Sequence, residues 1–178
     1  MEVNETAELW LVQEKLISEI TQDHRFSSAD LCRIHHEWLV GIYPWAGRYR
    51  PVNISKGGFS FAMAHTIPAL MEEFEKNQLA KYTPCLLKEK DEVAHALAEV
   101  NVELMLIHPF REGNGRLGRL LTTLMALQAG MPLLDFSELA GHLREEYFAA
   151  VRSGLGRDYE PMKRLFSDVV QRTLWLSE

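Results

Sequence analysis

The chain has 178 residues, 47% of them apolar, enough to close one hydrophobic core without splitting into domains. A net charge of −6 and an isoelectric point near 5.7 argue against a general affinity for nucleic acid or for anionic membrane surfaces, since both require a basic face. Cys32 and Cys85 belong to no CxxC or metal-ligand spacing, which argues for a reducing compartment and against a disulfide framework.

The first residues, MEVNETAELW, are acidic and carry no basic n-region, and no apolar run reaches the length of a membrane span. The expectation is a cytoplasmic protein with no membrane partner. Leu9, Val12, Leu16, Ile17 and Ile20 recur at helical spacing. Ser27 stands three residues before Asp30 and predicts an N-terminal cap for a helix whose apolar stripe is Leu31, Ile34, Trp38 and Leu39. His35-His36-Glu37 in that helix matches no metal-ligand spacing and is expected on its exposed surface. Pro44 and Gly47 stop the helix.

From about residue 52 to 62, Val52, Ile54, Phe59 and Phe61 flank Gly57-Gly58, the pattern of a short β-hairpin. A lone hairpin needs other elements to pack on. Helix returns from about Thr66 to Asn77 and breaks around Tyr82-Thr83-Pro84-Cys85. A long amphipathic run from Lys88 leads to His108, and helical periodicity resumes after Gly115 until Gly130, with Pro132 beyond. Ser137 to about Val151 and Asp158 to about Trp175 complete the helices. With no repeat or low-complexity tract, residues 1–178 read as one all-α domain with a hairpin insertion.

The segment between the two strongest helical runs, HPFREGNGR, carries the chemistry. Pro109 disfavours α conformation at His108, and Glu112-Gly113-Asn114-Gly115 precedes a helix expected to start near Arg116. Successive N–H groups of a glycine-rich turn, with the donors and dipole of a helix N-terminus behind them, make a cradle for phosphate. Arg116 and Arg119 stand at i,i+3 spacing, so both can reach one phosphate chain. Glu112 beside an anion site is a conflict that a bridging Mg2+ would resolve. His108 can take a proton near neutral pH, and Phe110 is expected to plug inward and pin the loop. A plain turn with a histidine on a helix C-terminus is the structural alternative, but such a turn needs neither the glutamate nor the paired arginines.

Residues 108–119, HPFREGNGRLGR, resemble the signature of the Fic family (filamentation induced by cyclic AMP), H-x-F-x-[DE]-G-N-G-R-x-x-R. Upstream, WAGRYRPVNISKGGFSFA is similar to that family's approach to its flap hairpin. The resemblance implies an all-α, Fic-type helical domain with a short β-hairpin flap. It also implies transfer of AMP from ATP to a Ser, Thr or Tyr hydroxyl of a target protein, with release of pyrophosphate. On the same resemblance His108 is the general base and Glu112 the Mg2+ ligand. Gly113, Asn114 and Gly115 form the anion hole at the α-phosphate, Arg116 holds the β-phosphate and Arg119 the γ-phosphate. The flap residues Ile54, Ser55, Lys56, Gly57, Gly58 and Phe59 would dock an extended segment of the target.

The motif grips phosphates and says little about the base. A different phosphate-linked donor, such as another nucleotide or a phosphocholine conjugate, and a non-catalytic binding module therefore remain alternatives. Gly115 argues against the related phosphotransferase branch, which carries a lysine in this loop. Many Fic proteins are restrained by [ST]-x-x-x-E-[GN], whose glutamate pairs with the second arginine. Here Thr173 to Glu178 is one residue out of register, and Ser18 has Gln22 where Glu is needed, followed by Asp23. The expectation is that no internal acid competes for Arg119, with Glu178 as the opposing candidate. Restraint then comes from a small antitoxin-like partner or is absent.

Overall fold

A computed structural model describes residues 2–177. The first helix, α1 (Glu2–Glu19), buries Val12 and Leu16 and leaves Trp10 and Leu11 exposed. The second, α2 (Ser28–Leu39), starts where the sequence predicts. The Ser27 hydroxyl accepts from the Asp30 N–H, and the Asp30 carboxylate accepts from the Ser27 N–H. Such a reciprocal cap is worth about 1 kcal/mol. The buried face of α2 carries His35 as well as Leu31, Ile34, Trp38 and Leu39, so the expectation of an exposed His35 is corrected.

The hairpin consists of β1 (Ser55–Lys56) and β2 (Phe59–Ser60), antiparallel, with Ser55 opposite Ser60 and Lys56 opposite Phe59. Gly57 and Gly58 have φ of 55° and 76°, the left-handed pair that a two-residue hairpin turn demands. The ladder is shorter than the 52–62 expected. One further bond, Phe61 N–H to the Ile54 carbonyl at 3.2 Å, closes it, and below that the Arg50 guanidinium stands between the legs and takes the carbonyls of Val52 and Ala62.

Next, α3 (Ile67–Phe74) passes through a π-helical turn (Glu75–Leu79) into α4 (Ala80–Tyr82). This helix therefore runs past Asn77 to Tyr82. The extension buries Leu79 and brings the Tyr82 hydroxyl 2.6 Å from the Glu99 carboxylate. The central helix, α5 (Lys90–Ile107), is buried around most of its circumference, with Val93, Leu97, Val100 and Leu104 among its core residues. A helix enclosed in this way has neighbours on every side. These include α6 (Asn114–Gln128), α8 (Arg144–Ser153) and α9 (Glu160–Leu176).

Residues Ser137 to Val151 were expected as one helix, but they divide into α7 (Ser137–Ala140) and α8. The Gly141 N–H turns back onto the carbonyls of Ser137 and Glu138, and the Leu143 N–H onto Glu138, which ends α7 after one turn. Arg172 of α9 pairs with Asp135 and Glu138 and fastens this corner. The chain is thus all-α with a two-stranded flap, as the sequence predicts. Glu178 lies outside the described residues.

Candidate active site

The site begins where α5 ends. His108 caps the helix in the left-handed region, φ 52° and ψ 60°, a conformation that costs a non-glycine residue about 1–2 kcal/mol. Its N–H still bonds the Leu104 carbonyl at 2.9 Å, so the reversal falls at His108 itself and Pro109 is carried out of the helix. Helix α6 then starts at Asn114, two residues earlier than the expected Arg116, with Gly113 as its cap at φ 82°. Only glycine fits there: a Cβ on Gly113 would lie 2.6 Å from Trp38 Cζ3.

Three side chains brace the loop. Phe110 is fully buried, as expected of a plug. Asn114 is 3% exposed; its Oδ1 accepts from the Phe110 N–H at 2.9 Å and its Nδ2 donates to the Phe110 carbonyl at 2.8 Å. The Oδ1 and one Nδ2 hydrogen are therefore engaged within the loop, which fixes the orientation of the amide. Its backbone N–H, at the start of α6, is a further donor available to an anion.

The third brace is His35, which stacks on Phe110 at 4.0 Å. Its Nδ1 accepts from the Gly47 N–H at 2.8 Å, so its Nε2 carries the proton and donates to the Glu112 carbonyl at 3.1 Å. Burial pushes its pKa down to about 4, and the ring stays neutral at neutral pH. Sequence reasoning missed this residue, although its position four residues after Leu31 and three before Leu39's neighbour Trp38 puts it on the apolar stripe.

The His108 ring is held between its own helix and the flap. Its Nδ1 lies 3.3 Å from the Met105 carbonyl, which can only accept, so Nδ1 bears the proton and Nε2 keeps its lone pair. Phe61 of the flap stacks on it at 3.8 Å. Burial lowers its pKa to about 4 against the help of the Met105 carbonyl, and the Arg50 and Lys56 cations lower it further.

A cavity of about 510 Å³ lies in front of this ring. It is lined by His108, Glu112, Gly113, Asn114, Gly115, Arg116 and Arg119, the signature residues expected to act on nucleotide, metal or target, together with Ile54, Ser55 and Lys56 of the flap. Gly57, Gly58 and Phe59 stand outside it, whereas Phe61, Tyr147 and Phe148 line it.

The two arginines differ. Arg119 is half-buried, burial pushes its guanidinium below the ordinary range, and no hydrogen bond or ion pair reaches that guanidinium among the described residues. Arg116 is already engaged. Its guanidinium lies over Trp38 at 4.8 Å, and Nη2 is 2.6 Å from Glu5 Oε2 and 3.5 Å from Glu112 Oε1. Glu5, from α1, is buried and also accepts from the Tyr43 hydroxyl at 2.5 Å. Burial alone would raise its pKa, but Tyr43 and Arg116 outweigh it and hold the carboxyl below its usual range. Among the described residues an internal acid therefore does occupy this site, on Arg116 and not on Arg119.

Glu112 stands at the cavity mouth with its side chain 57% exposed, and its Oε1 accepts from the Gly113 N–H at 2.9 Å. No group of three or more potential metal ligands occurs among the described residues. Mg2+ held by one carboxylate and by phosphate oxygens needs no such group, so Glu112 beside a phosphate cradle fits that ion.

The model of the Fic/DOC family matches residues 25–126, from the start of α2 through most of α6. The chain belongs to the Fic/DOC family. Among related Fic proteins, "Protein adenylyltransferase Fic" of Nematostella vectensis is 30% identical over 151 residues, covering 82% of this chain but only 32% of its own length. "Probable protein adenylyltransferase Fic" of Salmonella typhimurium strain LT2 is 32% identical over 146 residues, 79% of this chain and 68% of its own. The N-terminal Fic domain of a VirB-translocated Bep effector protein from Bartonella quintana, solved with bound ADP, is similar in structure. It has a TM-score of 0.76 and 26% identity over 93% of this chain and 82% of that one.

Proposed function

We propose that this Fic chain transfers AMP from ATP to a Ser, Thr or Tyr hydroxyl of a target protein and releases pyrophosphate. One observation carries the reading: the unprotonated Nε2 of His108 and the guanidinium of Arg119, unpartnered among the described residues, share one cavity with the donors that open α6. A base, a free cation and a ready anion site within one cavity are what nucleotidyl transfer to a hydroxyl requires. The adenylyltransferase names of the relatives support the reaction class, and the ADP in the Bartonella quintana domain supports an adenine nucleotide.

In this mechanism the α-phosphate sits at the backbone N–H groups of Asn114 and Gly115, where the dipole of α6 is positive. Arg119 takes the terminal phosphate. Arg116, oriented by Glu5 and Trp38, faces the middle one. Bound Mg2+, held by Glu112, would neutralise charge on the phosphate oxygens. The target hydroxyl attacks the α-phosphorus while its proton passes to His108 Nε2, and the bond to pyrophosphate breaks. A pKa near 4 makes the free base weak, and the negative triphosphate raises it towards the operating pH.

The exposed edge of Ser55 and Lys56 would pair with the target chain. A small inhibitory antitoxin-like partner would act at Arg119, which no described acid covers. Two free cysteines, one of them buried, fit the reducing cytoplasm. Calorimetry tests the donor site. ATP should bind more tightly with Mg2+ in the wild type and lose that dependence in Glu112→Ala. ATP affinity indifferent to Mg2+ in the wild type, or equal displacement of ATP by CDP-choline, would overturn this reading of the donor.

A further inference from the structure

Arg50 is 1% exposed, yet no carboxylate pairs with it among the described residues. Carbonyl groups surround it instead. Its Nε donates to the His108 carbonyl at 2.7 Å and its Nη1 to Val52 at 2.7 Å. Its Nη2 donates to Ala62 at 2.5 Å and to Ile107 at 3.2 Å. The Arg50 N–H adds a bond to the Pro109 carbonyl at 2.9 Å, and beside it the Ala62 N–H reaches the Leu106 carbonyl at 3.3 Å.

These acceptors come from three separate pieces of chain. Ile107 and His108 are at the carboxyl end of α5, where carbonyls lack helical partners and the dipole favours a cation. Val52 and Ala62 are the two legs of the flap, and Pro109 opens the phosphate loop. A planar guanidinium with five donors can satisfy acceptors converging in this way, whereas a lysine ammonium presents one nitrogen on a flexible stem.

We infer that Arg50 is a positioning residue for the transfer reaction: its guanidinium ties the left-handed backbone of His108 to both legs of the flap, so that the edge receiving the target stays in register with the base. The inference rests on the AMP-transfer reading. It adds a separation of roles within the site, because the phosphate loop is braced by other groups, namely Asn114, His35 and the cap at Gly113. Loss of Arg50 should therefore disturb the target step and leave the nucleotide step in place.

Arg50→Lys tests this, with AMP-PNP as the nucleotide probe and α-³²P-ATP with cell lysate as the transfer assay. AMP-PNP affinity should stay within about threefold of the wild type, while label transfer falls roughly 10- to 100-fold, the scale of a displacement near 1 Å. Hydrogen exchange at the Ala62 amide should accelerate while the middle of α5 stays protected. A variant that labels at the wild-type rate would overturn the proposal. So would one that loses AMP-PNP binding in step with transfer, since a purely structural role lowers both. The wild type supplies a measurement that needs no variant: nitrogen-15 NMR should show slow rotation of the Arg50 guanidinium, with separate signals for its two Nη groups. Free rotation would overturn the proposal, and this result decides the matter alone if Arg50→Lys does not fold. A wild type that transfers no label removes the reaction reading, and the inference with it, before any variant is compared.

Discussion

Arg119 is a cation on the cavity wall that the folded chain neither exposes fully nor pairs among the described residues. Such a group weakens the ligand-free protein and is useful only when an anion arrives. Arg119→Met keeps most of the apolar stem and removes the charge. With its desolvation relieved, the free protein should gain on the order of 1 kcal/mol, which raises the melting midpoint by about 2–4 °C for a chain of this size. ATP should bind more weakly by the value of one charge-assisted contact, about 1.5–3 kcal/mol, or roughly 10- to 150-fold. Thermal melting with and without ATP and Mg2+ reads both effects: the variant starts higher, and the nucleotide raises its midpoint less than it raises the wild type's. A variant that melts lower than the wild type and binds ATP equally well would refute the reasoning.

Other expectations follow from the same geometry. Gly113→Ala meets both the φ of 82° and the 2.6 Å approach to Trp38, so urea unfolding should show a loss of at least roughly 2 kcal/mol; wild-type stability would contradict the close contact. Glu5→Gln should cost about 1–3 kcal/mol at pH 7. The depressed Glu5 pKa means that this contribution is complete above the unfolded value near 4.3 and fades as pH falls through the folded one. The gap between variant and wild type should therefore narrow only below about pH 4, and a constant gap down to pH 3 would refute it. His35 and His108, both held near 4, stay neutral in the fold while the unfolded chain protonates them near 6.5. Stability should therefore fall with decreasing pH between 6 and 5, by about 2–3 kcal/mol per unit for two protons. Urea midpoints that do not change across that window would show that the rings are not held neutral.

The sequence shows most clearly what depends on neighbours along the chain. The capping pair of Ser27 and Asp30 and the paired glycines of the hairpin act within a few residues, and both are found where the sequence predicts; the site residues of the His108–Arg119 signature line one cavity. It shows least where distant segments meet. Glu5 reaches Arg116 across 111 positions, and no local pattern marks a glutamate in the first helix as its partner. His35 does lie on the apolar stripe of α2, but its polarity suggests a surface place unless its ring nitrogens can be given the Gly47 and Glu112 backbone groups, which only the fold supplies. Asn114 is in the motif, yet whether its amide faces the anion or the loop depends on how Phe110 folds back. The break at Gly141 is likewise tertiary, for Arg172 of α9 holds Asp135 just before α7 and Glu138 within it.

The central claim is that His108 takes a proton from a protein hydroxyl while this cavity holds ATP. The most direct measurement compares wild type with His108→Ala, each supplied with α-³²P-ATP or γ-³²P-ATP, Mg2+ and a cell lysate. The wild type should label protein from the α-position only, and His108→Ala should lose at least roughly 10²- to 10⁴-fold of that transfer while its ATP affinity barely changes. Label arriving from the γ-position, or transfer by His108→Ala at a near-wild-type rate, would contradict the account.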